Sequence, residues 1–177
     1  MKKILDKKYG LVFWITGLSG SGKTTIAKKI HLGIKKKFGP TIVVHGDEFR
    51  KIFNLTGYSK SERLDIGKQY SDFCKVITKQ KINIIFAAVG LFHSLHEYNR
   101  KNHKNYLEIF IKSDIDQLKK MKKKNFYKKK TANVWGVDLK PEFPKKPDII
   151  LRNEFTKSPK SLSEELLKKV NKLFQYS

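Results

Sequence analysis

Gly17-Leu-Ser-Gly-Ser-Gly-Lys-Thr24 fits the pattern G-x-x-x-x-G-K-[ST], in which glycines let successive backbone N–H groups curl into one concavity. Such a concavity, backed by the positive end of a following helix, holds anionic phosphates. The expected ATP site is therefore Gly17, Leu18, Ser19, Gly20, Ser21, Gly22, Lys23 and Thr24, with Thr25 beside them. Lys23 is placed to reach the β- and γ-phosphates and Thr24 to offer its hydroxyl to Mg²⁺, so that both neutralise charge on a transferring group. The plain alternative is a glycine turn that binds nothing. The strand-like run before this segment and the helical pattern after it argue against that.

A second constellation follows in Val44-His-Gly-Asp-Glu-Phe-Arg50, where a short β-branched run ends in Asp47 and Arg50. Ligands of open α/β sheets bind at the carboxyl ends of strands. Asp47 could there accept the proton of an attacking hydroxyl or hold Mg²⁺ through water, and Arg50 could clamp an acceptor phosphate. Their bland alternatives are a helix N-cap and a surface arginine. The apolar run Ile82 to Val89 ends in Gly90 without an acidic residue. Motor ATPases and many GTPases keep a metal-holding aspartate near such a strand, so a short kinase fits better.

The elements that must position these groups read as an α/β chain. Leu11 to Thr16, Thr41 to Val44, Ile82 to Val89, Tyr106 to Ile111 and Asp148 to Leu151 form about five parallel strands, with Ile82 to Val89 central and covered on both faces. Helices are expected from Thr24 to Phe38, from a capping box at Ser59 and Glu62 to about Gln80, and from Ser113-Asp114 to about Lys124. A last one follows a second capping box at Ser161 and Glu164. Residues 125–147 hold lysines, aromatics and prolines without periodicity, which points to a lid. The 177 residues suffice for one domain, 1–177, with its own core. The single Cys74 cannot form an internal disulfide and is expected in the core, and no targeting or membrane segment is read, so a cytoplasmic location is the default. His93, His96 and His103 read as surface residues rather than a metal site.

These residues, in this order, resemble the adenylyl-sulfate kinase (APS kinase) family of P-loop kinases, which phosphorylate the ribose 3′-hydroxyl of adenylyl sulfate. The resemblance runs from about Leu11 to Leu151. It includes Gly17 to Thr24, Gly46-Asp47 with Arg50, Ser61-Glu-Arg63, Phe126-Tyr-Lys-Lys129, Trp135-Gly-Val-Asp138, Pro141-Glu and Pro147-Asp-Ile. It implies a P-loop nucleotide-kinase fold with helices on both faces of the sheet, and ATP and Mg²⁺ as cofactors. Asp47 then looks like the group that activates the hydroxyl, and Arg50 and Arg63 like anchors for a small-molecule nucleotide acceptor. Phe126, Lys128 and Lys129 look like lid residues at that acceptor, and Trp135 like a ring that stacks on its base or packs the lid to the core. A homodimer is carried from the family alone.

Departures cluster on the acceptor side. The family has an asparagine where this chain has Ile66, a Ser-Pro-aromatic-Arg where it has Gly90-Leu-Phe-His93, and an Arg-Asp pair where it has Met121-Lys122. Adenylyl sulfate is the family default, and a paralogue acting on cytidine diphosphoramidate is the alternative. The rival from another class is a nucleic-acid-binding P-loop ATPase, prompted by a net charge of +23. Only Arg50, Arg63, Arg100 and Arg152 among the 39 basic residues are arginine, and the lysines are spread along the chain, so composition bias with an anionic substrate accounts for the charge better than a nucleic-acid track does. A nucleotide-binding regulator without transfer is disfavoured by the presence of Lys23, Thr24 and Asp47 together.

Overall fold

The computed structural model describes residues 3–120 and 139–174. Its elements run β1 (Val12–Thr16), α1 (Lys23–Phe38), β2 (Thr41–His45), α2 (Gly46–Ile52), α3 (Lys60–Lys79), β3 (Asn83–Ala87), α4 (His93–Asn102), β4 (Tyr106–Lys112), α5 (Ile115–Lys120), β5 (Ile149–Arg152) and α6 (Pro159–Leu173). The strands form one parallel sheet in the order β2-β3-β1-β4-β5. All five residues of β3 are buried, as its unbroken apolar run predicts, but the middle place belongs to β1.

Alternation along β1 divides the core in two. Leu11, Phe13 and Ile15 face a cluster with Ile26, Ile30 and Ile34 of α1 and Leu162, Leu166 and Val170 of α6. Val12 and Trp14 face the other way, toward Phe49 of α2, Ile66, Tyr70 and Cys74 of α3, and Leu95 of α4. Cys74 is a fully buried core thiol, as expected, and burial pushes its pKa well up. The capping box that opens α3 is present, with Ser59 Oγ accepting from Glu62 N and Glu62 Oε2 accepting from Ser59 N.

Three expectations need correction. The cap of α6 is Ser158, whose Oγ accepts from Ser161 N, because Pro159 lacks an N–H and belongs in the first turn. Helices α2 and α4 were not foreseen: the first is only seven residues long, and the second, His-Ser-Leu-His-Glu-Tyr-Asn-Arg-Lys-Asn, shows little apolar periodicity. His96 and His103 are not on the surface, for they lie 5% and 7% exposed between α4 and β4.

His96 belongs to a buried polar cluster at the amino-terminal half of β4. Glu108, almost wholly buried, lies 2.7 Å from His96 Nδ1 and accepts from Arg100 at 2.8 Å, while its own backbone N–H donates to Asp148. Burial pushes the Glu108 carboxyl up, but the opposing pull of His96 and Arg100 prevails and holds it below the usual range. Asp148 is paired in turn with Lys3 at 2.8 Å. The segment before β1 and the segment before β5 are thereby tied to β4.

His103 lies 2.8 Å from Ser71 Oγ and stacks on Tyr106. Burial, with Lys75 adding and Asp72 opposing, lowers its pKa from 6.5 to about 4, so it is neutral in the fold and takes a proton on unfolding. Its contribution is therefore full above the unfolded value and is lost as pH falls toward the folded one, a total of roughly 3 kcal/mol. The stability of His103→Asn, followed by thermal melting between pH 4 and 6.5, should fall less steeply with acid than that of the wild type. Identical slopes would reject this account.

Candidate active site

Parallel pairing places Ile15 of β1, Ala87 of β3 and His45 of β2 in one row across the sheet. Gly17 and Asp47 each follow two residues beyond that row. The two sequence constellations thus leave the same edge at the same level, separated by two strand spacings, or roughly 10 Å. That is the span in which a phosphoryl donor and an acceptor hydroxyl can meet.

The cradle is held by close approach and by backbone geometry. Gly17 has φ +149°, and a Cβ there would stand 2.5 Å from the Ile111 carbonyl oxygen of β4. Gly22, with φ +94°, takes the N-cap position of α1 in the left-handed region that favours glycine. Lys23 is buried and donates from Nζ to the Leu18 carbonyl at 2.7 Å, which folds its ammonium back over the loop. Thr24 and Thr25 are exposed on the first turn of α1, while Ser21 is fully buried. Thr16, the last residue of β1, donates through its hydroxyl to the Val89 carbonyl and ties the cradle to the loop after β3.

Asn153 was not singled out by sequence reasoning. It is 5% exposed, its Nδ2 donates to the Ser21 carbonyl at 2.9 Å, and its Oδ1 accepts from Phe155 N at 3.1 Å. Phe155 holds φ +61°, an uncommon conformation for an aromatic residue. Together they border a cavity of about 210 Å³ against Gly22, Thr25 and Ile26. A lone Asn after a strand carries no motif, which is why it was missed.

Asp47 lies in the first turn of α2 with an exposed carboxylate that has no hydrogen-bond or ion-pair partner among the described residues. The backbone beside it is pinned by Tyr70, whose hydroxyl donates to the Gly46 carbonyl at 3.1 Å. Burial, above all, raises the Tyr70 pKa to about 12, so this donor stays protonated. Free carboxylate and hydroxyl oxygens at Asp47 and Thr24 are the donor types that a hard divalent cation such as Mg²⁺ takes.

Arg50 of α2 and Arg63 of α3 are brought together over the loop that joins the two helices. Arg50 donates to the Leu55 and Gly57 carbonyls at 2.8 and 2.9 Å, and Arg63 Nε donates to the Tyr58 carbonyl at 2.8 Å. Their guanidinium carbons lie 4.9 and 5.3 Å from the centre of the Tyr58 ring. Tyr58 itself is 56% exposed and carries both guanidinium groups on its ring, a placement the sequence did not flag. Ile66 is buried in the α3 layer and serves packing. Phe126, Lys128, Lys129 and Trp135, and most of the lid expected over 125–147, lie outside the described residues. A cleft of about 920 Å³ opens at the ends of β4 and β5 between Leu18, Phe110, Phe143 and Arg152, away from Asp47.

A family model described as adenylylsulphate kinase matches residues 9–152. Cytidine diphosphoramidate kinase of Campylobacter jejuni subsp. jejuni serotype O:2 is 32% identical over 163 residues, covering 90% of this chain and 95% of that protein. Adenylyl-sulfate kinase of Gloeothece citriformis is 27% identical over 174 residues, covering 94% and 93%. Among solved structures, the Mycobacterium tuberculosis APS kinase in complex with AMPPNP and APS superposes with a TM-score of 0.83 at 23% identity, covering 92% of this chain and 98% of that one.

The hydrogen bond from Asn153 to the cradle can be tested directly. Asn153→Ala leaves the buried Ser21 carbonyl without its donor and should weaken binding of a non-hydrolysable ATP analogue by about tenfold, read by calorimetry. Asn153→Asp, which sets an acceptor against that carbonyl, should cost more. Unchanged affinity in both variants would show that the amide does not shape the cradle.

Proposed function

The chain belongs to the adenylylsulphate kinase family, and from that membership we propose that it transfers the γ-phosphoryl group of ATP to the ribose 3′-hydroxyl of a 5′-nucleotide adduct. The observation that supports this most is the common level at which Gly17 and Asp47 leave the sheet, which sets a phosphate cradle beside an unpaired carboxylate. The enzyme is a phosphotransferase acting on a hydroxyl.

Asp47 takes the proton of the acceptor hydroxyl as its oxygen forms a bond to the γ-phosphorus. The bond from that phosphorus to the β–γ bridging oxygen breaks in line, and ADP departs with the bonding pair. Lys23 leaves the Leu18 carbonyl to meet the β- and γ-oxygens, where its charge offsets the charge that develops. The cradle N–H groups of Gly20 to Thr25 hold the donor, and Arg50 and Arg63 turn toward the acceptor's 5′ anion. Thr24, with Asp47 through water, would hold Mg²⁺, which would supply further neutralisation of the transferring group.

Between the two acceptors, cytidine diphosphoramidate is favoured over adenylyl sulfate by a specific observation. The relative named for it shares 32% identity over nearly the full length of both proteins, against 27%, 26% and 29% for the adenylyl-sulfate kinases of Gloeothece citriformis, Pseudomonas aeruginosa and Prochlorococcus marinus. Among the departures from the adenylyl-sulfate pattern, Ile66, Leu91 and Phe92 are buried and act through packing, while His93 stays half-exposed.

Purified enzyme supplied with ATP and Mg²⁺ should turn over cytidine diphosphoramidate with a kcat/KM at least tenfold above that for adenylyl sulfate; the reverse order restores the family default. Stimulation by single-stranded nucleic acid alone would overturn the kinase reading. Lys23→Ala should abolish turnover. Asp47→Asn should keep affinity for the ATP analogue and lose about 10²-fold or more in kcat, the scale of a removed general base. Wild-type kcat in Asp47→Asn removes that residue from the mechanism.

A further inference from the structure

Glu142 lies outside both constellations, yet two segments around the site, the start of α3 and residues 91–93, converge on it. Its Oε2 accepts from the backbone N–H of His93 at 2.9 Å. The residue at the N-cap of α4, Phe92, has no side-chain oxygen to offer, so Glu142 caps that helix from a distant part of the chain. Its Oε1 accepts from Lys60 Nζ at 2.9 Å, on the first turn of α3. Its own backbone N–H donates to the Leu91 carbonyl at 3.2 Å, and the next carbonyl, of Phe143, lies 2.9 Å from His93 Nε2.

The place of this knot matters. Leu91 and His93 follow directly on Val89, whose carbonyl receives the hydroxyl of Thr16 at the mouth of the phosphate cradle. Lys60 follows directly on Tyr58 and Ser59, and precedes Arg63 by less than one turn of α3. The first turn of α3 is itself exposed at Ser59, Lys60, Ser61 and Glu62, so little apolar packing fixes it. The main body of α3 is anchored further along, where Gly67 admits Leu95 of α4 and Tyr98 bonds Asp72.

We infer that Glu142 is a positioning residue, which fixes the start of α3, and with it Tyr58 and Arg63, relative to the phosphate cradle through Lys60 and the capped α4. This rests on the reading of residues 47–63 as the acceptor side. The Lys60–Glu142 pair is half open to water, with side chains 61% and 30% exposed, so its effect is modest and belongs in acceptor affinity rather than in chemistry. The helix-capping bond adds to it, since a carboxylate at a helix N-terminus meets both unpaired N–H groups and the positive end of the dipole.

The test compares Lys60→Met, Glu142→Gln and the double variant with the wild type, using whichever acceptor is turned over, cytidine diphosphoramidate or adenylyl sulfate. Lys60→Met should raise acceptor KM by roughly three- to fivefold, and Glu142→Gln by about tenfold. The double variant should match Glu142→Gln alone, because the two side chains act through one contact. kcat and the affinity for a non-hydrolysable ATP analogue should stay within about twofold, the split that separates acceptor positioning from general loosening. Amide exchange of residues 62–66 should quicken in both single variants, a readout that stands even if neither nucleotide is the acceptor. Unchanged exchange overturns the positioning role itself. Faster exchange with unchanged acceptor KM overturns its link to the acceptor, and equal losses in ATP affinity and acceptor KM reduce Glu142 to a stabilising cap.

Discussion

Parallel strand register is the constraint on which the site depends. Because β2, β3 and β1 pair in step, His45, Ala87 and Ile15 share one row, and whatever follows each strand emerges at one height. The two constellations follow β1 and β2. Their relation is set by backbone ladders buried on both faces, and a one-residue slip would turn Phe13 and Ile15 away from α1 and α6. Register and hydrophobic pattern therefore protect the same geometry. The left-handed Gly22 and the close pass of Gly17 to Ile111 then bend the chain sharply enough for the cradle to begin at the strand's end.

The opposite half of the sheet is stiffened in another way. Glu108 beneath α4 would be costly to bury alone, and His96, Arg100 and Tyr106 around it offset that cost. What such a cluster supplies is a defined arrangement: Arg100 also donates to the Lys146 carbonyl at 2.7 Å, and Lys3 reaches Asp148. The chain returning through residues 141–148 is thus fastened at two points, to α4 near the amino edge by Arg100 and near the active edge through Glu142. Polar bonds do this work because the connecting stretch, Lys-Pro-Glu-Phe-Pro-Lys-Lys-Pro from 140 to 147, offers little continuous apolar surface.

Sequence made the strands, the phosphate loop and the start of α3 legible for a common reason, namely that each is decided locally. Alternation, a glycine pattern and a Ser59–Glu62 box all act within a few residues. What stayed hidden was decided at a distance. His96 and His103 look like surface residues in a polar decapeptide until β4 brings Glu108 and Tyr106 beneath them. Helix α4 escaped notice because its cap, Glu142, comes 49 residues later, and Ser158 was passed over for Ser161 although Pro159 marked the true first turn. Asn153 and Tyr58 carry no pattern at all, and only their placement beside Ser21 and between Arg50 and Arg63 gives them meaning.

The same distinction explains why the donor half of the site keeps a family signature while the acceptor half departs from it. A phosphate cradle is made of backbone N–H groups, so only residues that permit the bend and the flanking Lys23 and Thr24 are constrained, and these must be retained together. The proposed acceptor side is made of side chains around one loop, where Arg50 and Arg63 are held by carbonyls of their own segment rather than by the sheet. Such a surface can change its partner without disturbing the strands. A site that hydrogen-bonds its substrate rejects analogues lacking the matching group by several kcal/mol. Of the departures from the family pattern, Ile66, Leu91 and Phe92 are buried and act through packing, so a change of acceptor would fall to the half-exposed His93 and to the side chains around the loop that carries Tyr58. The net charge of +23 favours any polyphosphate ligand and discriminates among none of them, which leaves the choice of acceptor to these few side chains.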